Sequence, residues 1–428
     1  MRIGLTAPRQ LAALVGGRAA FRATTLLANL ALLAAWDSGD YTGYALAMGG
    51  AAFLTPLASI GIEKCALKVI PRVQHTVALL IGIFVALAGL LLLVALAALG
   101  GVLIFVHHAP ALLAGLAGLY AICLGGNQVL VGLNRAIGRP GWDVANHLVL
   151  ATGLACWTGL ACWTEAAPTA HAAPVVFLAL CLATVAVLNV LLLAGLRPGF
   201  AGLRRRTLVR VAVGTSVLMA IPDVVGGLSM SLLFWTLSVT AAPAESTGLY
   251  MASVASGTLL NAFAYLLRVL QPGVSRALHQ RDLTAAYNRL SRVLRLLLLV
   301  GTPYVAVALI TAQPLLRPLG GIGVVILYMT CVPIIFAMGS ASYVMENATP
   351  QALRATAVGS AMALVTVGAL AFLVVPWAGA LGAVILLAVG QLVHAAAVLR
   401  WLRPQRLMSP PSASTHPAVM ADGKESVS

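Results

Sequence analysis

The sequence predicts an all-α integral membrane protein with about twelve transmembrane helices. They form two six-helix lobes related by a pseudo-two-fold axis. Three observations lead there. Of the 428 residues, 61% are hydrophobic and only 9% charged, too little charge to cover a water-facing surface. The apolar residues come in blocks of about 20, the length that crosses a hydrocarbon core. The halves also echo each other. Asp40-Tyr41-Thr42-Gly43 opens the second block and Glu245-Ser246-Thr247-Gly248 the eighth, each followed by a proline-arginine turn, Pro71-Arg72 or Pro272 to Arg276. The offset is about 200 residues, near half the chain. Parallel repeats of this kind imply an axis along the membrane normal and a cavity between the lobes.

Taken in order, the spans fall at 18–36, 41–62, 76–104, 109–133, 142–163, 173–195, 211–236, 246–270, 293–314, 320–343, 355–375 and 379–400. The third is too long to stand upright, so it tilts or ends near Gly100-Gly101. The chain thus divides into an N-terminal segment 1–17, an N-lobe 18–196, a linker 197–210, a C-lobe 211–402 and a tail 403–428. The tail is rich in Ser, Pro and Ala and reads as disordered. Residues 276–292 carry Leu278, Leu283, Ala286 and Leu290 at helical spacing among arginines, as an interfacial amphipathic helix would.

The net charge of +15 does not point to nucleic acid. The basic residues lie between apolar blocks, where an anionic leaflet explains them. Arg2, Arg9, Lys64, Lys68, Arg72, Arg135, Arg139, Arg197, Arg204, Arg205, Arg206, Arg210, Arg354, Arg400, Arg403 and Arg406 share one side with the stretch from Arg276 to Arg295. The opposite loops hold Arg317 with Asp37, Asp40, Glu165 and Glu245. The positive-inside rule then puts both termini in the cytoplasm. The six cysteines lie in or beside apolar blocks, with no CxxC pair, and read as small hydrophobes. His107-His108 reads as an external turn, not as metal ligands, and the sequence calls for no cofactor.

The stretch from Ser246 to Gly321, beginning "STGLYMASVASGTLLNAFAYLLRVLQPGVSRALHQRD", resembles the second half of polysaccharide (O-antigen-type) flippases of the multidrug/oligosaccharidyl-lipid/polysaccharide (MOP) exporter superfamily. The matching features are a Gly-x-Tyr opening span eight, a Pro-x-x-Ser ending it, and an Arg-Asp before an amphipathic helix. "DYTGYALAMGGAAFLTPLASIGIEKCALKVIPR" is similar to that family's first half, with Gly-Tyr, Gly-Ile-Glu and Ile-Pro-Arg. The resemblance implies a MATE/MOP-like rocker-switch carrier in a bacterial cytoplasmic membrane. Its implied task is to flip a lipid-linked, polyprenyl-diphosphate oligosaccharide for cell-surface polysaccharide. In the lipid II flippase branch an arginine stands early in span eight, at the level of Met251–Val254 here. This chain has none there, and it lacks the extra spans of that branch.

A flippase must hold an anionic, sugar-bearing headgroup in a wet cavity. Span one offers Arg18, Arg22, Thr25 and Asn29 on one face, and span eight offers Ser253, Gly257, Asn261 and Arg268. Arginine matches phosphate oxygens in bidentate fashion, so Arg22 and Arg268 are the diphosphate candidates, with snorkelling to the interface as their alternative role. Asn29, Asn127, Gln128, Asn146 and Asn261 could bind sugar hydroxyls; interhelical hydrogen bonding is the alternative. Lys64 either faces the cavity or pairs with the adjacent Glu63. Asp143 suits the start of span five, beside Arg139.

Asp223 is the one ionisable side chain between Val211 and Trp235. A carboxylate at such a midpoint costs about 2.5–3.5 kcal/mol on insertion scales. It follows Pro222 and precedes Gly226-Gly227, residues that weaken a helix. Asp223 is therefore the candidate for coupling a proton or sodium ion to lobe movement, against a structural role in helix packing. Two other functions compete. A MATE-type cation/drug antiporter would need acids in both lobes and aromatic walls. An integral-membrane enzyme acting on lipid-linked sugars would need a large external loop with catalytic groups, and the external loops here are about ten residues at most. The reading is therefore a transporter whose partners are its lipid-linked saccharide and membrane lipids, with no catalytic residues.

Overall fold

A computed structural model describes residues 8–70, 76–105, 109–164, 173–196, 198–240, 244–279, 283–316, 322–348 and 350–401. Pro71-Arg72, His107-His108, Glu165, Arg317 and the tail from Arg403 lie outside the described residues. Those described are helical almost throughout, with no strand among them.

The N-lobe comprises α1 (Pro8–Ala35), three short helices α2 (Ser38–Gly50), α3 (Leu54–Ser59) and α4 (Ile62–Val69), then α5 (Val77–Phe105), α6 (Ala109–Ala136), α7 (Gly141–Thr164) and α8 (Ala173–Ala194). A 3-10 turn, Phe200–Arg204, leads into the C-lobe: α9 (Arg206–Thr240), α10 (Ala244–His279), α11 (Leu283–Leu316), α12 (Ile322–Ala348) and α13 (Pro350–Trp401). Eight segments are long and apolar enough to cross a membrane, counting α2 to α4 as one. One of the eight, within α13, bends at Gly379 and holds two passes. The arginine-bearing α1, α10 and α11, expected as spans one, eight and nine, are not among those eight segments of the described residues.

Three elements differ from expectation. Span seven, expected to weaken at Pro222, is an unbroken helix through it. Its Gly227 instead lets the backbone of Phe53 and the ring of Pro56 press against α9. Span two, expected as one helix over 41–62, is the broken one and runs to Val69. Its first break precedes Pro56, which has no N–H for a continuous helix. Its second is made by two successive left-handed residues, Ile60 (φ 35°) and Gly61 (φ 68°). A side chain at Gly61 would strike the Ser216 carbonyl and the Ala220 amide of α9. The bend therefore serves to lay α4 along α9. The segment expected as one amphipathic helix, 276–292, is also divided: α10 continues to His279 and α11 starts at Leu283.

The repeat is visible where the lobes meet. Thr42 and Thr247, equivalent positions of the two opening motifs, share a hydrogen bond of 3.0 Å across the seam. Around them an apolar core crosses the seam. Trp36, Tyr41, Tyr44 and Phe177 come from one lobe and Phe234, Tyr250 and Met251 from the other. Tyr44 and Tyr250 meet edge to face at 5.7 Å, a geometry favoured by the ring quadrupoles. Glu245 fixes the bend in α13: its carboxylate accepts the Ala380 N–H at 2.7 Å, capping the last helical stretch. Gly379 has φ 52°, and any side chain there would collide with that carboxylate.

Candidate functional site

The charged residues of the interior converge on α4, a helix of eight residues carrying Glu63 and Lys64 side by side. Adjacent helical positions point about 100° apart, so the two reach in different directions.

Glu63 turns into the N-lobe. Arg135 of α6 donates to it at 2.7 Å, and the same guanidinium reaches Asp143 of α7 at 3.4 Å. Arg18 of α1 contacts Asp143 at 3.2 Å and Glu63 at 3.7 Å, while His147 touches Asp143 at 2.9 Å. Two arginines and two carboxylates thus neutralise each other among four helices, with Glu63 and Asp143 buried. Arg18 is an internal ion-pair partner. Arg139, expected beside Asp143, instead donates to the Gly195 carbonyl.

Lys64 crosses to the C-lobe. Its ammonium lies 3.0 Å from Asp223 on α9 and 3.4 Å from Glu346 on α12. Lys68, one turn on, donates to the Glu346 backbone carbonyl at 3.2 Å. Asp223, half-exposed, and the buried Glu346 are therefore tied to the opposite lobe by one lysine. The pairing of Lys64 with Glu63 does not form.

The other sequence candidates are placed as follows. Asn127 and Asn146 are buried and exchange two amide hydrogen bonds, 3.0 and 2.9 Å, clamping α6 to α7. Gln128, half-buried, takes no part in that pair. Asn29 is buried, donates to the Thr25 carbonyl and accepts from Tyr41, whose hydroxyl also reaches Met251 of the other lobe. Asn261 is exposed on α10 and donates to the Gly257 carbonyl. Arg22 is half-buried on α1, its guanidinium 5.7 Å from the centre of the Phe21 ring. Its carbonyl accepts from Thr258 of α10 at 3.4 Å, which sets it at the seam. Arg268 lies in α10, but its side chain is outside the described residues.

Sequence reasoning missed Glu346 and His394. Glu346 sits at the very end of span ten, where an acid looks like a loop residue; only the bend in span two brings a lysine to it. Among the described residues no group of His, Cys, Asp and Glu could hold a metal ion. One cavity of about 530 Å³ lies over α2 between α6 and α9, lined by small residues such as Gly43, Ala47, Gly50 and Gly118 with Asp40 and Trp235.

No protein-family model and no curated protein sequence matches the chain. Solved structures do. The fold is similar to an outward-facing multidrug resistance MATE family transporter of the MOP superfamily, with a TM-score of 0.62 and 13% identity, covering 94% of this chain and 97% of that one. It is also similar to the lipid II flippase MurJ in an inward closed conformation (TM-score 0.60, 11% identity, 90% and 86% covered). A third similar structure is a MOP superfamily transporter from Pyrococcus furiosus Vc1, described as having a binding pocket of reversed polarity (0.59, 15%, 94% and 97%). The fold resembles that of these transporters over nearly the full length of the chain. Drug exporters and a lipid flippase share it equally well, so the fold does not choose between branches.

Proposed function

We propose that the chain is an alternating-access carrier that flips a lipid-linked, polyprenyl-diphosphate oligosaccharide across the cytoplasmic membrane, with its arginine-rich ends inside. The observation that carries this is the seam. The lobes are joined by side-chain contacts that can part without unfolding either: hydroxyls and aromatic rings at the end where α2 and α10 begin, and Lys64 with Asp223 and Glu346 further along. Arg22 sits at that seam between α1 and α10, where a diphosphate could meet a guanidinium fork.

The electrostatics favour an anionic headgroup over a cationic drug. An antiporter needs an acid that exchanges drug for proton, and here the two acids at the seam, Asp223 and Glu346, both pair with Lys64. The two functions separate in one experiment. Proteoliposomes carrying the purified chain are loaded with a fluorescent polyprenyl-diphosphate oligosaccharide, and the fraction protected from an external quencher is followed. The parent should flip it, and Arg22→Ala should slow flipping at least about tenfold at equal protein abundance, with Arg22→Lys rescuing poorly. Transport of a cationic dye against a proton gradient, with no flipping, would establish the antiporter instead.

A further inference from the structure

His394, in the second half of α13, lies between two serines. Its Nε2 is 2.9 Å from Ser342 Oγ on α12, and its Nδ1 is 3.1 Å from Ser360 Oγ in the first half of α13. Gly359 permits this approach, its missing side chain leaving room against the His394 backbone. Each serine also has a carbonyl of its own helix within reach: Ser342 that of Met338 at 3.3 Å, Ser360 that of Thr356 at 3.0 Å.

Counting protons on these groups gives two complete arrangements. With the ring neutral and protonated on Nδ1, that N–H donates to Ser360, Ser360 donates to Thr356 O, and Ser342 donates its hydroxyl proton to Nε2. When Nε2 takes up a proton from water, both ring nitrogens become donors. Ser342 then rotates its hydroxyl to Met338 O and accepts from Nε2. Every donor keeps an acceptor in both states. A buried polar group that must lose a bond on changing charge resists the change; this one need not lose any. The ring is only half-buried.

The consequence lies one helical turn away. Ser342 and Glu346 stand at i and i+4 on α12, on the same face, and Glu346 holds Lys64 of the opposite lobe. The charged groups carried by the elements around His394 are Glu346 on α12, Arg206, Arg210 and Asp223 on α9, Glu245, Arg268 and Arg276 on α10, and Arg354 and Arg400 on α13 itself. Among the described residues none forms an ion pair with it.

We propose that His394 is a proton-binding site of the C-lobe: proton uptake swings Ser342 and adds a positive charge about one helical turn from Glu346, which loosens the Lys64 bridge between the lobes. The site stands on the bridge geometry and not on the identity of any cargo.

Two readings test it on the full-length protein in nanodiscs without substrate. Nitrogen-15 histidine NMR, with His394 assigned by the signal lost in His394→Gln, should show its ring passing from one to two protons between pH 8 and 5. Ser342→Ala should move that midpoint by at least about half a pH unit. Spin labels at the exposed positions Arg139→Cys and Arg354→Cys, with the exposed Cys156 replaced by Ser, should report a longer inter-lobe distance population on acidification. His394→Gln should abolish that response. A ring that stays singly protonated to pH 5 overturns the proposal. So does a lobe response that is absent from the parent or persists in His394→Gln. Failure to flip lipid-linked sugar would leave both readings intact, so the site and the proposed cargo fail separately.

Discussion

Glu63 and Lys64 are neighbours in sequence and belong to opposite kinds of structure. Glu63 is one of five ionisable groups that hold α1, α4, α6 and α7 together inside one lobe, and its partners are all largely buried. Lys64 joins two lobes, and one of its partners, Asp223, has a side chain 39% exposed. An ion pair inside a rigid lobe is difficult to lose, because removing either member strands a charge in low dielectric. One that spans a seam beside water can exchange partners at small cost. The same eight-residue helix thus carries a fixed set of charges and a releasable one.

The contrast is broken most severely from the fixed side. Asp143→Ala removes a buried carboxylate that both Arg18 and Arg135 contact, and should destabilise the fold by about 3–5 kcal/mol. Thermal melting in detergent and membrane abundance should both fall sharply. Next comes the bend that aims the two residues apart. Gly61→Ala forces a side chain onto left-handed backbone against the Ser216 carbonyl, and should cost about 1–3 kcal/mol in the same melts. Lys64→Ala takes the ammonium away from the buried Glu346 as well as from the more exposed Asp223, and should cost about 1–3 kcal/mol, less than Asp143→Ala. Its effect should appear in function, as faster labelling of a cysteine at Asp223 by a water-soluble reagent and as altered transport. Smallest is the amide clamp: Asn127→Ala should lose about 1 kcal/mol without changing lobe opening. If Lys64→Ala proved as damaging to the melt as Asp143→Ala, the distinction between fixed and releasable charges would collapse.

These expectations show what the sequence could and could not reveal. The all-helical membrane architecture was legible because hydropathy is a local signal, and so were the Thr42 and Thr247 motifs that meet at the seam. The single acid in span seven was legible as an anomaly, but its partner was not. The hydrophobic pattern of span two runs on through residues 51–61, so nothing announced that Ile60 and Gly61 would redirect the chain and carry Lys64 to α9. Pro222 was the louder signal and the less informative one: a helix packed on both sides absorbs one missing hydrogen bond. Asn127 and Asn146 have the composition expected of sugar ligands, yet each satisfies the other across 19 positions of sequence, a pairing that no residue-by-residue reading supplies. His394 lies in an apolar run with no motif around it, and its serines come from two other passes of the membrane.

The most direct test joins the two sides of the releasable contact covalently. Lys64→Cys and Glu346→Cys, in a background with the exposed Cys156 replaced by Ser, are joined by a reducible bis-methanethiosulfonate cross-linker long enough to replace the lysine and glutamate side chains that meet there. Flipping of the fluorescent lipid-linked oligosaccharide is then measured in the same proteoliposomes before and after reduction. If the lobes must part at Lys64, cross-linked protein flips at the background rate and the reductant restores transport to the level of the uncross-linked double variant. Flipping at an undiminished rate by fully cross-linked protein would show that this contact does not open during transport.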